Sequence, residues 1–145
     1  MQDRRFELYQ YSKENKIPLL HCDMFPYNGE NVVNYNLAED LVLNAAVGFA
    51  EKSNAFIYGV CGFLLHRIEC IKLNLNTKLK NACVLFNAGG SNNPYCKDWG
   101  LGHQFFEDLE LFKVFGIENY TLEKQDFNDL MEEVLKTPGF KVVRI

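Results

Sequence analysis

Three short runs in this 145-residue chain carry side chains that could do chemistry. The first is Asn36-Leu37-Ala38-Glu39-Asp40. An Asn followed three residues later by a Glu reads, on spacing alone, as a capping box at a helix start. The second is Gly62-Phe63-Leu64-Leu65-His66-Arg67. There Phe63 reads as a core aromatic and His66 as a partly exposed helix residue, although an imidazole titrates where proton transfer is useful. The third is Gly89-Gly90 followed by Trp99-Gly100-Leu101-Gly102-His103-Gln104. The glycine pair is either a plain turn or a place where a ligand approaches the backbone closely. His103 closes the loop and opens a helix. His21, at a strand end before Cys22 and Asp23, reads as structural. Glu107, Asp108 and Glu110 read as a solvated or capping acidic cluster near a helix start.

These residues must be held by the elements around them. Helical periods alternate with short apolar runs along the chain, which is the pattern of an α/β domain with a mostly parallel sheet. Helices are predicted at Arg4–Asn15, from Asn36 to about Lys52, and at Gly62–Leu75, His103–Phe115 and Lys124–Leu135. Strands are predicted at Ile17–Cys22, Val32–Tyr35, Ala55–Val60, Ala82–Asn87, Asn119–Leu122 and Lys141–Arg144. In the second helix Leu37, Leu41, Ala45, Val47 and Gly48 form a small-residue packing face. The run Ala82–Asn87 is apolar on both faces, as in a strand covered from both sides. Ligands of such sheets bind at the carboxyl ends of strands, so the loops after Val32–Tyr35, Ala55–Val60 and Ala82–Asn87 are the places to look. The long stretch Gly89–Gly102 is rich in Gly, Asn, Ser and Pro, and long loops in compact domains usually carry function.

Composition narrows the classes. The length fits one domain, 1–145, and an apolar fraction of 48% supports a core. A net charge of −4 argues against a phosphate-backbone binder, so no nucleic-acid partner is expected. The five cysteines are odd in number and include no Cys-x-x-Cys pair, which points to a reducing cytoplasm and no zinc site. No apolar signal core follows the N-terminus and no stretch is long enough to cross a membrane. Gly-x-Ser-x-Gly, Gly-x-x-x-x-Gly-Lys-Ser/Thr and a Gly-x-Gly-x-x-Gly after the first strand are all missing. That disfavours an elbow hydrolase, a nucleotide triphosphatase and a dinucleotide fold.

The order of the pieces resembles the pyrimidine-binding domain of thiamine-diphosphate enzymes of the transketolase and deoxyxylulose-phosphate synthase type. In that family a strand of the form Phe-Phe-Asp-Val leads into Gly-Ile-Ala-Glu-Gln-Asn and a small-residue helix. Here the run is Val32-Val33-Asn34-Tyr35-Asn36-Leu37-Ala38-Glu39-Asp40, then Asn44-Ala45-Ala46-Val47-Gly48-Phe49-Ala50. A family helix opening with Thr-Phe-Leu is matched by Cys61-Gly62-Phe63-Leu64. Gly-Pro-Thr-His-Gln is matched by Gly100-Leu101-Gly102-His103-Gln104, and the closing Pro-Gly-Pro-Val-Tyr-Ile-Arg by Pro138-Gly139-Phe140-Lys141-Val142-Val143-Arg144. The resemblance spans almost the whole chain, although few individual residues are identical.

The resemblance implies a three-layer α/β/α fold and assigns roles. Glu39 would bond N1′ of the cofactor's aminopyrimidine and drive its conversion to the imino tautomer. Phe63 would stack on the pyrimidine ring, His66 would sit at the same pocket, and His103 would touch substrate as a catalytic histidine. Asp23 would match an acidic residue near the cofactor. The chain departs from the family at Asp40 and Leu41, at Leu101-Gly102, and at Asn87, near which sugar-phosphate enzymes often carry a histidine. It has no Gly-Asp-Gly motif to bind the diphosphate and Mg²⁺. A second subunit with that motif is therefore expected, most simply in a heterotetramer with two copies of each chain, and Met1 with a complete ending suggests a natural subunit. The expected activity is ketol transfer or a related carbon–carbon bond change. A two-chain 2-oxo acid decarboxylase and a non-catalytic module of the same fold remain open, as does an unrelated flavodoxin-like binding protein.

Overall fold

A computed structural model of the chain describes residues 4–59, 67, 69–71, 78–87, 108–122 and 126–145. Its elements are α1 (Arg4–Glu14), β1 (Leu19–His21), β2 (Val32–Asn34), α2 (Glu39–Ala50), β3 (Ala55–Gly59), β4 (Ala82–Asn87), α3 (Asp108–Val114), β5 (Glu118–Thr121), α4 (Phe127–Val134) and β6 (Gly139–Arg144). The six strands form one sheet in the order β2-β1-β3-β4-β6-β5, and every neighbouring pair is parallel. The predicted strands all appear, shifted by at most two residues at their ends. The predicted helix 62–75 lies mostly outside the described residues, as does the start of the helix predicted at 103.

Strand side chains alternate between two faces, and each face has its own core. Leu20, Ile57, Cys83, Leu85 and Val142 pack with Val42, Leu43, Ala46, Val47 and Ala50 of α2 and with Phe112 of α3. Leu19, Phe56, Val84, Phe86 and Val143 pack with Leu8 of α1 and with Phe127, Leu130, Met131 and Val134 of α4. The architecture is thus three layers, α/β/α. All six residues of β4 are buried, as expected of a strand covered on both sides. Phe56 and Phe86 meet edge to face with ring centroids 5.0 Å apart on the α1/α4 side.

The connections follow one handedness. The chain moves across the sheet in one direction from β2 to β3, β3 to β4 and β4 to β5. The described packing residues of those crossovers all lie on the α2 face. It moves back from β1 to β2 and from β5 to β6, and Phe25 and α4 of those connections lie on the other face. A single hand of crossover requires this division.

Local chemistry explains where the elements end. Helix α1 buries only Leu8 and Ser12, in keeping with its weak periodicity. A polar hook fixes it instead. Ser12 Oγ donates to the Ile17 carbonyl at 2.8 Å, and the Asn31 amide donates to both Ser12 Oγ and the Ile17 carbonyl. Lys16 then takes a left-handed φ of 53° and turns the chain into β1. In α4, Asp126 caps the helix by accepting the Asn128 N–H at 2.8 Å, and the buried residues fall at helical spacing.

Helix α2 corrects the expected packing face. Leu37 is 79% and Leu41 54% exposed, and Gly48 is also exposed, whereas Val42, Leu43, Ala46, Val47 and Ala50 are buried. The helix is apolar around most of its girth, so spacing alone does not select the stripe that meets the sheet.

Strand β6 holds an unexpected buried charge. Lys141 is 1% exposed, and its ammonium donates to the carbonyls of Val134 at 2.5 Å and Thr137 at 2.6 Å and to Thr137 Oγ1 at 2.8 Å. It thereby satisfies carbonyls at the C-terminal end of α4, where the helix dipole also favours a cation. Burial lowers its pKa from the ordinary lysine value and the nearby Glu118 carboxylate opposes that shift. Lys141→Met should lower stability by roughly 3 kcal/mol in urea denaturation, because it leaves buried acceptors unpaired. Val114→Ser, at an 80% exposed side chain, should change it by less than about 0.5 kcal/mol.

Candidate functional site

Because the sheet is wholly parallel, β1, β2, β3 and β4 end on one edge, at His21, Asn34, Gly59 and Asn87. The chain leaves β1 toward the α1 face, where Phe25 packs, and leaves β3 toward the α2 face, where Ile71 and Leu79 pack. Neighbouring strands whose connections diverge in this way mark the switch point at which open α/β sheets hold ligands. The candidate site is this edge around β1, with the start of α2 beside it.

Glu39 is the first residue of α2 and is half-buried. The capping box expected from Asn36 and Glu39 does not form. Ala38 occupies the N-cap position with no side-chain cap, and its carbonyl accepts the Val42 N–H at 3.0 Å. Asn36 instead takes a left-handed φ of 53°, a conformation outside the extended region an N-cap residue uses. Among the described residues no hydrogen bond or ion pair engages the Glu39 carboxylate. Its neighbour Asp40 is engaged, pairing with Arg67 at 3.1 Å and accepting from the Cys70 thiol at 3.4 Å.

A small polar clamp supports this edge. Asn34 Oδ1 accepts the backbone N–H of Asp23 at 3.1 Å and of Asn36 at 2.8 Å. Its Nδ2 donates to Asp23 Oδ1 at 2.5 Å. Asp23, like Asn36, is left-handed, with φ 51°. Such backbone is costly for residues other than glycine and persists only where its surroundings hold it, which Asn34 does for both. Asp23 therefore stands at this edge, with its carboxylate tied to Asn34.

Cys22 and His21 complete the edge. The Cys22 thiol is pushed up to about 11, mainly by burial and then by the Glu39 carboxylate, with the Ala38 N–H acting the other way. It stays protonated at neutral pH and is no nucleophile. The Ala38 N–H at the Cys22 sulfur sets Cys22 against the start of α2. His21 is 2% exposed and its ring lies 5.8 Å from that of Phe25. Its Nδ1 accepts the Phe25 N–H at 3.4 Å, while Nε2 is buried without a hydrogen-bond partner among the described residues.

Of the residues singled out from the sequence, Glu39 stands at this edge. Phe63, His66 and His103 lie outside the described residues. Sequence reasoning missed Asn34. Its position two residues before Asn36 and at the end of an apolar run was the available signal. Among the described residues no group of three or more His, Cys, Asp or Glu could hold a metal ion. No helix among them is long and apolar enough to cross a membrane.

Burial lowers the pKa of His21 from its ordinary 6.5, against an opposing pull from Asp23. The unfolded chain therefore takes up this proton more readily than the folded one. The stability that neutral His21 contributes is intact above 6.5 and is lost as the pH falls toward the lowered folded value. His21→Asn keeps an acceptor for the Phe25 N–H and removes the titration. Urea midpoints should fall more steeply in the wild type than in His21→Asn as the pH drops through this range. Parallel curves would assign the pH dependence to another group.

Compared with known proteins, the chain matches no protein-family model, and no curated protein sequence matches it.

Proposed function

We propose that this chain is the pyrimidine-binding subunit of a split thiamine-diphosphate enzyme of the transketolase type. The observation that carries the reading is the position of Glu39. It opens a helix at the carboxyl edge of a parallel α/β/α sheet, half-buried, with its carboxylate uncommitted among the described residues. A side chain in a capping box would have to break that bond before it could handle a proton, and Glu39 has none to break.

When bound, thiamine diphosphate supplies a nucleophilic carbon that makes and breaks bonds next to a carbonyl. The residues of this chain would serve that chemistry from one side. Glu39 would hold the proton at N1′. Phe63 and His66 would line the pyrimidine pocket, and His103 would contact a ketose or 2-oxo acid substrate. The Gly-Asp-Gly subunit would hold the diphosphate and Mg²⁺. The working assembly would be a cytoplasmic heterotetramer with the site between unlike chains.

A tagged chain purified from its source cell should bring down a Gly-Asp-Gly subunit together with thiamine diphosphate and Mg²⁺. Recovery of the chain alone, without cofactor, would move the reading to a non-catalytic module. In the reconstituted complex Glu39→Gln should cut turnover by about 100-fold or more, the scale expected when a positioned proton-transfer group is lost. Unchanged turnover would remove Glu39 from the mechanism. Ketose and 2-oxo acid substrates tried on the same complex separate transfer from decarboxylation.

A further inference from the structure

The sequence encodes two competing starts for α2. One begins at Asn36, whose side chain would cap the helix while Glu39, three residues on, reached back to the Asn36 N–H. The other begins at Ala38, which has no side chain able to cap, and is the one observed. Local chemistry favours the first, because Asn is among the best N-cap residues and Ala among the poorest. Something outside the helix must therefore select the second.

Asn34 is that element. Its Oδ1 takes the Asn36 N–H at 2.8 Å, the same donor that Glu39 would bind in a capping box. The bond comes with Asn36 at φ 53°, which keeps it out of the N-cap conformation. The second bond, from the Asp23 N–H, and the return bond to Asp23 Oδ1 fix the Asn34 amide to the neighbouring strand's loop, so it cannot simply swing away. We propose that Asn34 is a positioning residue for Glu39: by occupying the Asn36 N–H it shifts the start of α2 to Ala38 and keeps the Glu39 carboxylate out of a capping box. The assignment is a matter of this chain's own geometry and does not depend on which cofactor Glu39 serves.

The test is a double-mutant cycle on the full chain, read by thermal unfolding and by backbone NMR. In the wild type Glu39→Ala should shift Tm by less than about 1 °C, since no cap is lost. In the Asn34→Ala background the helix should start at Asn36, the Cα shifts of Leu37 and Ala38 should move toward helical values, and Glu39→Ala should now cost about 3 °C more than in the wild type. The exchange Asp23→Asn with Asn34→Asp keeps an oxygen at position 34 to accept both backbone N–H groups and reverses only the side-chain bond to position 23, and should restore wild-type shifts and insensitivity to Glu39→Ala. A merely stabilising Asn34 would lower Tm additively and leave the Leu37 and Ala38 shifts unmoved, which would overturn the proposal. So would a loss of about 3 °C from Glu39→Ala in the wild type, a measurement that needs no change at Asn34.

Discussion

The parallel ladder is the constraint on which the rest depends. Parallel neighbours cannot be joined by a tight turn, so each connection must return across a face of the sheet. Here the returns fill both faces, and β4 is buried along its whole length. Each strand face then needs its own apolar set, which Val84 and Phe86 on one side and Cys83 and Leu85 on the other supply. The same constraint gathers the carboxyl ends of the strands on one edge, the side on which open α/β sheets in general hold their ligands.

The two edges are built differently. At the amino edge the polar groups are consumed by structure. The Lys141 ammonium closes α4, the Asn81 amide donates to the Ala50 carbonyl at 2.9 Å, and Asn54 Oδ1 accepts the Ala82 N–H at 3.0 Å. These bonds tie helix ends to strand starts and hold the layers in register. At the carboxyl edge the polar groups are held in less usual states. A buried imidazole keeps one nitrogen without a partner among the described residues, and the first turn of α2 lacks a side-chain cap. Proteins tend to depart from local rules where they act, and stability is recovered elsewhere.

The two adjacent carboxylates at the start of α2 illustrate the division. Asp40 turns to Arg67 and the thiol of Cys70, and so fixes the helix to the segment that follows β3. Glu39 opens the helix start against which Cys22 is set, and burial and a high pKa keep that thiol neutral. One acid is engaged and the other has no hydrogen bond or ion pair among the described residues, although the two are next to each other in sequence.

Much of the fold was legible before any coordinates. Six apolar runs separated by helical periods gave the strands, and Ala82–Asn87 could be recognised as doubly buried because no polar residue interrupts it before Asn87. The helix predicted at Lys124–Leu135 is α4, whose buried residues Phe127, Leu130, Met131 and Val134 fall at helical spacing. Other features were not legible because they depend on partners distant in sequence. The packing face of α2 was read only in part: Val47 and Ala45 meet the core, but Leu37, Leu41 and Gly48 point outward, since a helix apolar on several sides does not state which side the sheet takes. Lys141 looked like an ordinary strand residue, and only the approach of the end of α4 makes its burial tolerable. Asn36 and Glu39 spelled a capping box; the acceptor that takes the Asn36 N–H, Asn34, is only two residues away, but its amide is aimed there by bonds to Asp23, eleven residues off. The sequence by itself determined the alternation of elements and the nature of the side chains at the strand ends. The tertiary structure decided the helix start, because the contact with Asp23 fixes the Asn34 amide that takes the Asn36 N–H, and it decided which of the two acids is engaged among the described residues.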